Sequence, residues 1–290
     1  MRASTIVVVM LLLLGPVQIC QTETEHPSTS QDLNTVETRS SATTDTFTTT
    51  EAAPQDSSDY SLFQVSLHYS YNDVFICGGA IISSRIVLTA AHCMFYRWGG
   101  LMPPIIIIVS TGRQQLNETA LQSYTVANIT LHPLYNKTTT GNDLAIVEIE
   151  DTFETGSLTS QLDVGKYVPE AGYNHCVVTG WNQFTLEFQA VDVVLVDCPN
   201  YPGHICTNKK YEDGSICISE AGNPLVCDDK LIGILSVEPV CDDPVQLTIF
   251  ENVRNSISWL NENVEAASGA LLGKGVYLYN VCLVFVICLL

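Results

Sequence analysis

The stretch Ile216–Cys227, ICISEAGNPLVC, decides how this chain is read. Two cysteines bracket a loop of small and turn-forming residues, Ser219, Glu220, Ala221, Gly222, Asn223 and Pro224, followed by the apolar pair Leu225 and Val226. Ala221 ends in a methyl group, which can neither lose a proton nor attack a carbonyl. Covalent chemistry from that side chain is therefore excluded.

Working outward, the cysteines argue for one body. Of the chain's 11, Cys20 falls in an apolar N-terminal run and Cys282 and Cys288 in an apolar C-terminal run, leaving eight between Tyr60 and Glu265. Eight cysteines in a secreted domain suggest four bridges, but spacing alone leaves about a hundred pairings open. Val65, Leu67 and Tyr69 alternate with polar neighbours, Ile105 to Val109 is a branched run behind two prolines, and Val191 to Val196 has strand length. Short strands broken by Gly, Pro and Asn predict an all-β barrel or sandwich. Only Asn252 to Glu262 reads as a helix, with Val253, Ile257 and Leu260 on one face and Trp259 beside them.

The motifs CGGAII (Cys77 to Ile82), LTAAHC (Leu88 to Cys93), HPLYN (His132 to Asn136), NDLAIV (Asn142 to Val147), TGW (Thr179 to Trp181) and the opening loop occur in the order and spacing of the chymotrypsin-like serine proteases. The domain resembles that family over nearly its whole length. The resemblance implies an all-β fold of two packed six-stranded antiparallel β-barrels with a short C-terminal helix. It also implies bridges Cys77–Cys93, Cys176–Cys227, Cys198–Cys206 and Cys217–Cys241, which use all eight cysteines.

Residue by residue, the resemblance places His92 at the general-base position and Asp143 at the orienting carboxylate, with Ala221 where the family has its serine. The oxyanion hole would use the backbone amides of Ser219 and Ala221, and Ser219 stands where the family has glycine, so a side chain there disfavours the unusual dihedrals of the hole. Asn223 replaces another glycine, and asparagine tolerates left-handed geometry better than most residues. Ser215 falls at the floor of the specificity pocket, Glu238 and Thr248 fall on its walls, and Ser236 opens the backbone segment Ser236–Glu238 that borders it, where the glutamate predicts a narrowed or closed pocket. Family members are activated by cleavage after a basic residue. The corresponding place, near Thr50 to Ala53, has no adjacent Lys or Arg, the nearest upstream being Arg39, and the aspartate that would receive the new terminus is Glu220.

The two ends read differently. Residues 1–20, with Arg2, an apolar run from Ile6 to Leu14 and a Gly15–Pro16 break, predict a secretory signal peptide. Residues 21–59 are dense in Thr and Ser and nearly empty of large apolar side chains, which predicts a disordered, O-glycosylated stalk. Residues 60–265 form the domain, and residues 266–290 a small-residue spacer and greasy tail in the pattern of a GPI-anchor signal. A membrane-spanning tail is the alternative, although Val276 to Leu290 is short for it. Asn117, Asn128 and Asn136 head Asn-x-Thr sequons and are expected to carry N-glycans.

A formal charge of −19 argues against nucleic acid and against electrostatic attraction to anionic lipid, so membrane contact is expected only through a C-terminal anchor. No metal or cofactor is implied. The sequence reading is a secreted, cell-surface serine protease homologue without turnover, which binds a protein partner such as a protease, an inhibitor, a substrate or a receptor. Two alternatives stand beside it: a hydrolase still using His92 and Asp143, and a glycosylated surface-coat protein.

Overall fold

Twelve strands account for the domain, described in a computed structural model at residues 60–138, 141–154, 159–209, 218, 220–237 and 247–267. The predicted signal, stalk and nearly all of the tail lie outside the described residues, as do Ser215, Cys217, Ser219, Glu238 and Cys241.

The first barrel contains β1 (Gln64–Tyr69), β2 (Phe75–Ile81), β3 (Ile86–Thr89), β4 (Ile107–Thr111), β5 (Gln122–Leu131) and β6 (Ala145–Ile149), closed in the order β1-β2-β3-β6-β5-β4. The second contains β7 (Cys176–Trp181), β8 (Phe188–Val196), β9 (His204–Lys209), β10 (Pro224–Cys227), β11 (Lys230–Val237) and β12 (Thr248–Asn252), closed in the order β10-β11-β12-β9-β8-β7. Within the barrels all strand pairings are antiparallel, and closure leaves neither sheet a free edge.

β3 (IVLT) and β10 (PLVC) are buried along their whole length. β1 is also covered on both faces: Gln64, Ser66 and His68 are as buried as Val65 and Leu67. Its alternation of polar and apolar residues predicts a half-exposed strand, but on the polar face Gln64 bonds Asn223 and Thr179 of the second barrel and His68 Nδ1 bonds the Asp73 carbonyl. Ile105 to Val109 does not form one strand. Pro104–Ile106 is a 3-10 turn and β4 begins at Ile107, which leaves Ile105 81% exposed. The tight β10–β11 hairpin turns on Asp228 (φ 47°) and Asp229 (φ 58°), the two positive φ values that a two-residue connection of this twist requires.

The helical segment starts as a 3-10 turn, Val253–Ser256, in which the Asn252 side chain accepts from the Arg254 amide. The α-helix α1 covers 257–267, two residues beyond the expected domain end, and Ala267 packs into the core around the first barrel with Val253 and Leu260.

Disulfides join Cys77 to Cys93, Cys176 to Cys227 and Cys198 to Cys206. Such bonds are characteristic of proteins that fold in oxidising compartments.

Candidate active site

His92 sits in the 3-10 turn Ala91–Met94 that follows β3, and the Cys77–Cys93 disulfide ties this turn to β2. Asp143 comes just before β6, where Asn142 adopts φ 54° and turns the chain inward. Asp143 is buried, and its carboxylate accepts three hydrogen bonds: from the His92 backbone amide to Oδ1 (2.8 Å), from His92 Nδ1 to Oδ2 (2.7 Å) and from Ser236 Oγ to Oδ2 (2.6 Å). An ionised carboxylate only accepts, so Nδ1 carries the imidazole proton and Nε2 is the basic nitrogen. The His92 side chain remains 35% exposed, which leaves it open to a proton donor from solvent.

Ser236, in the backbone segment expected to border the pocket, directs its hydroxyl to Asp143. Thr248 is half-buried on β12 opposite Thr207 of β9. The described residues therefore bring together His92, Asp143 and Ser236, while Thr248 takes no part in that array.

The loop leading to β10 is fixed from both barrels. The Ala221 carbonyl accepts from the Gly78 amide (2.9 Å), Gly222 donates to the Leu235 carbonyl (2.8 Å), and the Leu235 amide donates to the Asn223 carbonyl (2.8 Å). Gly222 has φ 83°, and a methyl there would lie 2.2 Å from the Gly78 carbonyl oxygen and 2.5 Å from Thr89 Oγ1, so no other residue fits. Ala221 itself is 1% exposed and packs with the first-barrel core.

Asn223 departs from its expected role. It is absent from the left-handed residues, and its buried side chain bridges the barrels. Its Oδ1 accepts from Gln64 Nε2 (2.8 Å), while Gln64 Oε1 accepts from Thr179 Oγ1 (2.7 Å). The asparagine fits because Gly78 and Gly180 face it without side chains.

A further buried acid, unforeseen from the sequence, stands behind the array. Glu251 of β12 accepts the Asp143 backbone amide on Oε2 (3.1 Å), and His204 Nε2 lies 3.4 Å from the same oxygen. Burial raises the Glu251 carboxyl above the ordinary glutamate value, and the nearby Asp143 charge pushes the same way. A lone charge inside the apolar strand TIFEN was the signal that could have found it. Cys77, His92 and Cys93 bring possible ligand atoms within 4.8 Å of one another, but both sulfurs are consumed in a disulfide and cannot act as thiolate ligands.

Two closed six-stranded barrels with a hydrogen-bonded His–Asp–Ser array between them define the scaffold of trypsin-like serine proteases. The family model described as Trypsin matches residues 48–260, and the chain belongs to that family. It is 30% identical to "Serine protease 1" of Canis lupus familiaris over 220 residues, covering 70% of this chain and 85% of that one. It is 28% identical to "Trypsin-3" of Homo sapiens over 224 residues, covering 71% and 69% respectively. Among solved structures, "Kallikrein-related peptidase 10 complex with Zn2+" superposes with a TM-score of 0.59 at 22% identity, covering 73% of this chain and all of that one, a likeness of fold.

Proposed function

We propose that this trypsin-family chain works without turnover, as an extracellular binding or regulatory protein that presents a protease-shaped surface to a protein partner. The observation that carries the reading is Ala221, a buried methyl in a loop held from both barrels, in a chain that keeps the hydrogen-bonded His92, Asp143 and Ser236. His92 has a base's geometry but no hydroxyl or thiol at residue 221 to deprotonate. In a comparable triad, subtilisin's, removing the serine costs on the order of a million-fold in turnover. Ser219 and Glu238, in the oxyanion hole and pocket by resemblance, point the same way.

The test is labelling by a fluorophosphonate probe, with hydrolysis of generic peptide substrates, for the native protein and for Ala221→Ser. A silent native protein is expected, and labelling of the native protein overturns the proposal. If Ala221→Ser labels, the cleft still accommodates reagents and only the nucleophile is missing. If that variant is also silent, the hole and pocket have diverged too.

The three hydrogen bonds to Asp143 favour a second reading, in which His92 activates water for another hydrolysis. It requires a turnover that disappears in His92→Ala, and a screen of ester, amide and phosphate substrates that finds none removes it. The signal peptide, stalk and GPI anchor are part of the proposal. Release of the protein from cells by a phosphatidylinositol-specific phospholipase checks the anchor. All three sequon asparagines, Asn117, Asn128 and Asn136, are exposed, and a mass shift with peptide N-glycosidase checks their use.

A further inference from the structure

The acids of this chain are unevenly placed. From Val74 to Asn142 there is one acidic residue, Glu118, against four basic ones, Arg85, Arg97, Arg113 and Lys137. That stretch has a formal charge of +3 in a chain of −19, so the remainder carries −22. Arg85 is buried against Glu148 and the Ile149 carbonyl, and Arg113 is held by both Asp73 oxygens. Arg97 and Lys137 are exposed, and among the described residues neither has a carboxylate partner.

These two cations flank an exposed aromatic hairpin that starts two residues after His92. Met94 and Met102 anchor its feet in the core, Phe95 and Leu101 form a bridge, and Gly99 with φ 103° turns the tip. The Tyr96 amide donates to the Gly100 carbonyl at 2.8 Å, and the Met102 amide donates to the Met94 carbonyl at 2.9 Å. At the tip the rings of Tyr96 and Trp98 stack at 4.3 Å and 11°, with Trp98 80% and Leu101 51% exposed. Lys137 Nζ stands 5.5 Å from the Phe95 ring centre and would be 3.7 Å from a methyl at Gly99, so it borders the same patch. Trp, Tyr and Arg are the side chains that dominate protein interfaces, and a hairpin anchored at both feet presents them with little ordering entropy left to lose.

We propose that the Tyr96–Trp98 hairpin is the docking surface for an acidic polypeptide segment of a partner protein. An aromatic or aliphatic side chain of that segment seats against Trp98 and Leu101, and its carboxylates face Arg97 and Lys137. This rests on the binding role proposed above. Charge complementarity selects the occupant: Arg97 and Lys137 are the charged side chains of the patch, and screening with a decay length of about 8 Å at physiological salt weights them over distant acids. Two cations are too few to neutralise a run of phosphates, and they lie among apolar rings, which favours polypeptide over nucleic acid.

The experiment uses the full, glycosylated protein and two labelled synthetic peptides of about twelve residues. Both peptides carry one Trp-Leu anchor, flanked by Asp and Glu in one and by Lys in the other. Saturable binding of the acidic peptide is expected, weakened about tenfold or more by Trp98→Ala. Arg97→Glu with Lys137→Glu reverses the preference towards the Lys peptide. These positions are exposed, and thermal melts identical to the parent's confirm folding.

Five outcomes overturn the proposal: no binding of the acidic peptide, equal binding of both peptides, insensitivity to Trp98→Ala, Trp98-dependent self-association or phosphatidylserine-vesicle binding in its place, and binding seen only in Asn136→Gln, which would make carbohydrate the occupant. Running the fluorophosphonate probe on the same preparations separates the two readings. Labelling removes the non-catalytic role, whereas a silent probe with no peptide binding removes the docking surface alone.

Discussion

Asn223 Oδ1 accepts a 2.8 Å hydrogen bond from Gln64 Nε2, which joins the loop before β10 to the first strand of the other barrel. A methyl at Gly78 would lie 1.9 Å from that oxygen, and one at Gly180 would lie 2.2 Å from Asn223 Nδ2. The asparagine and the two glycines are therefore one packing unit. Gly78→Ala is expected to destabilise the domain by about 3 kcal/mol through overpacking. In an Asn223→Gly background the same change should cost at least about 1 kcal/mol less. Urea midpoints of the four proteins in this cycle check the coupling, and additive costs would show that the contact does not govern the fit.

Ser236→Ala removes one of three donors to the buried Asp143 carboxylate. Hydrogen bonds to charged groups contribute about 1.5–3 kcal/mol, and a loss of that size is expected in chemical denaturation. His92 still donates twice, so the imidazole keeps its orientation. Its tautomer, read by nitrogen NMR, should not change.

Two buried histidines should make the fold weaken in acid. Burial, reinforced by the Arg113 charge, holds His68 below its ordinary value, and burial does the same to His132. The unfolded chain then binds the extra protons first. The stability these residues contribute is complete above about pH 6.5, the unfolded value, and is lost as pH falls from there towards the folded values. Glu251 acts in the opposite sense: its raised carboxyl favours the fold at low pH, and that share is lost as pH rises from about 4.3 towards the folded value. Melting temperatures across this range should fall on acidification below pH 6.5, less steeply in His68→Phe. A slope in His68→Phe equal to the parent's would contradict the burial of the His68 ring.

The disulfides should differ in weight. Cys176–Cys227 closes 51 residues and Cys198–Cys206 closes 8. Loop entropy assigns them about 4 and about 2.5 kcal/mol, so paired Cys→Ser changes should rank in that order in denaturant.

Much of the fold was legible because its signals are local: LTAAHC and NDLAIV hold His92 and Asp143, and apolar runs such as IVLT become strands wherever they close a barrel. What escaped reading depends on contacts between distant segments. Gln64 meets Asn223 and Thr179 at separations of 159 and 115 residues, and nothing near Gln64 announces that its strand is covered on its polar face. The same holds for Glu251, which finds the Asp143 amide 108 residues away, and for Ser236, whose hydroxyl reaches the Asp143 carboxylate 93 residues away. Ile105 was misjudged for a local reason: two preceding prolines start a turn, and the strand begins only after it.

The acid-poor stretch from Val74 to Asn142 also contains all three sequons. Elsewhere in the chain, repulsion between carboxylates keeps neighbouring molecules apart, but this stretch has only Glu118 to offer. There hydrated sugar would take over the work of charge. If the sequons are occupied, removing the glycans should leave the fold's melting temperature nearly unchanged and lower the concentration at which light scattering detects association.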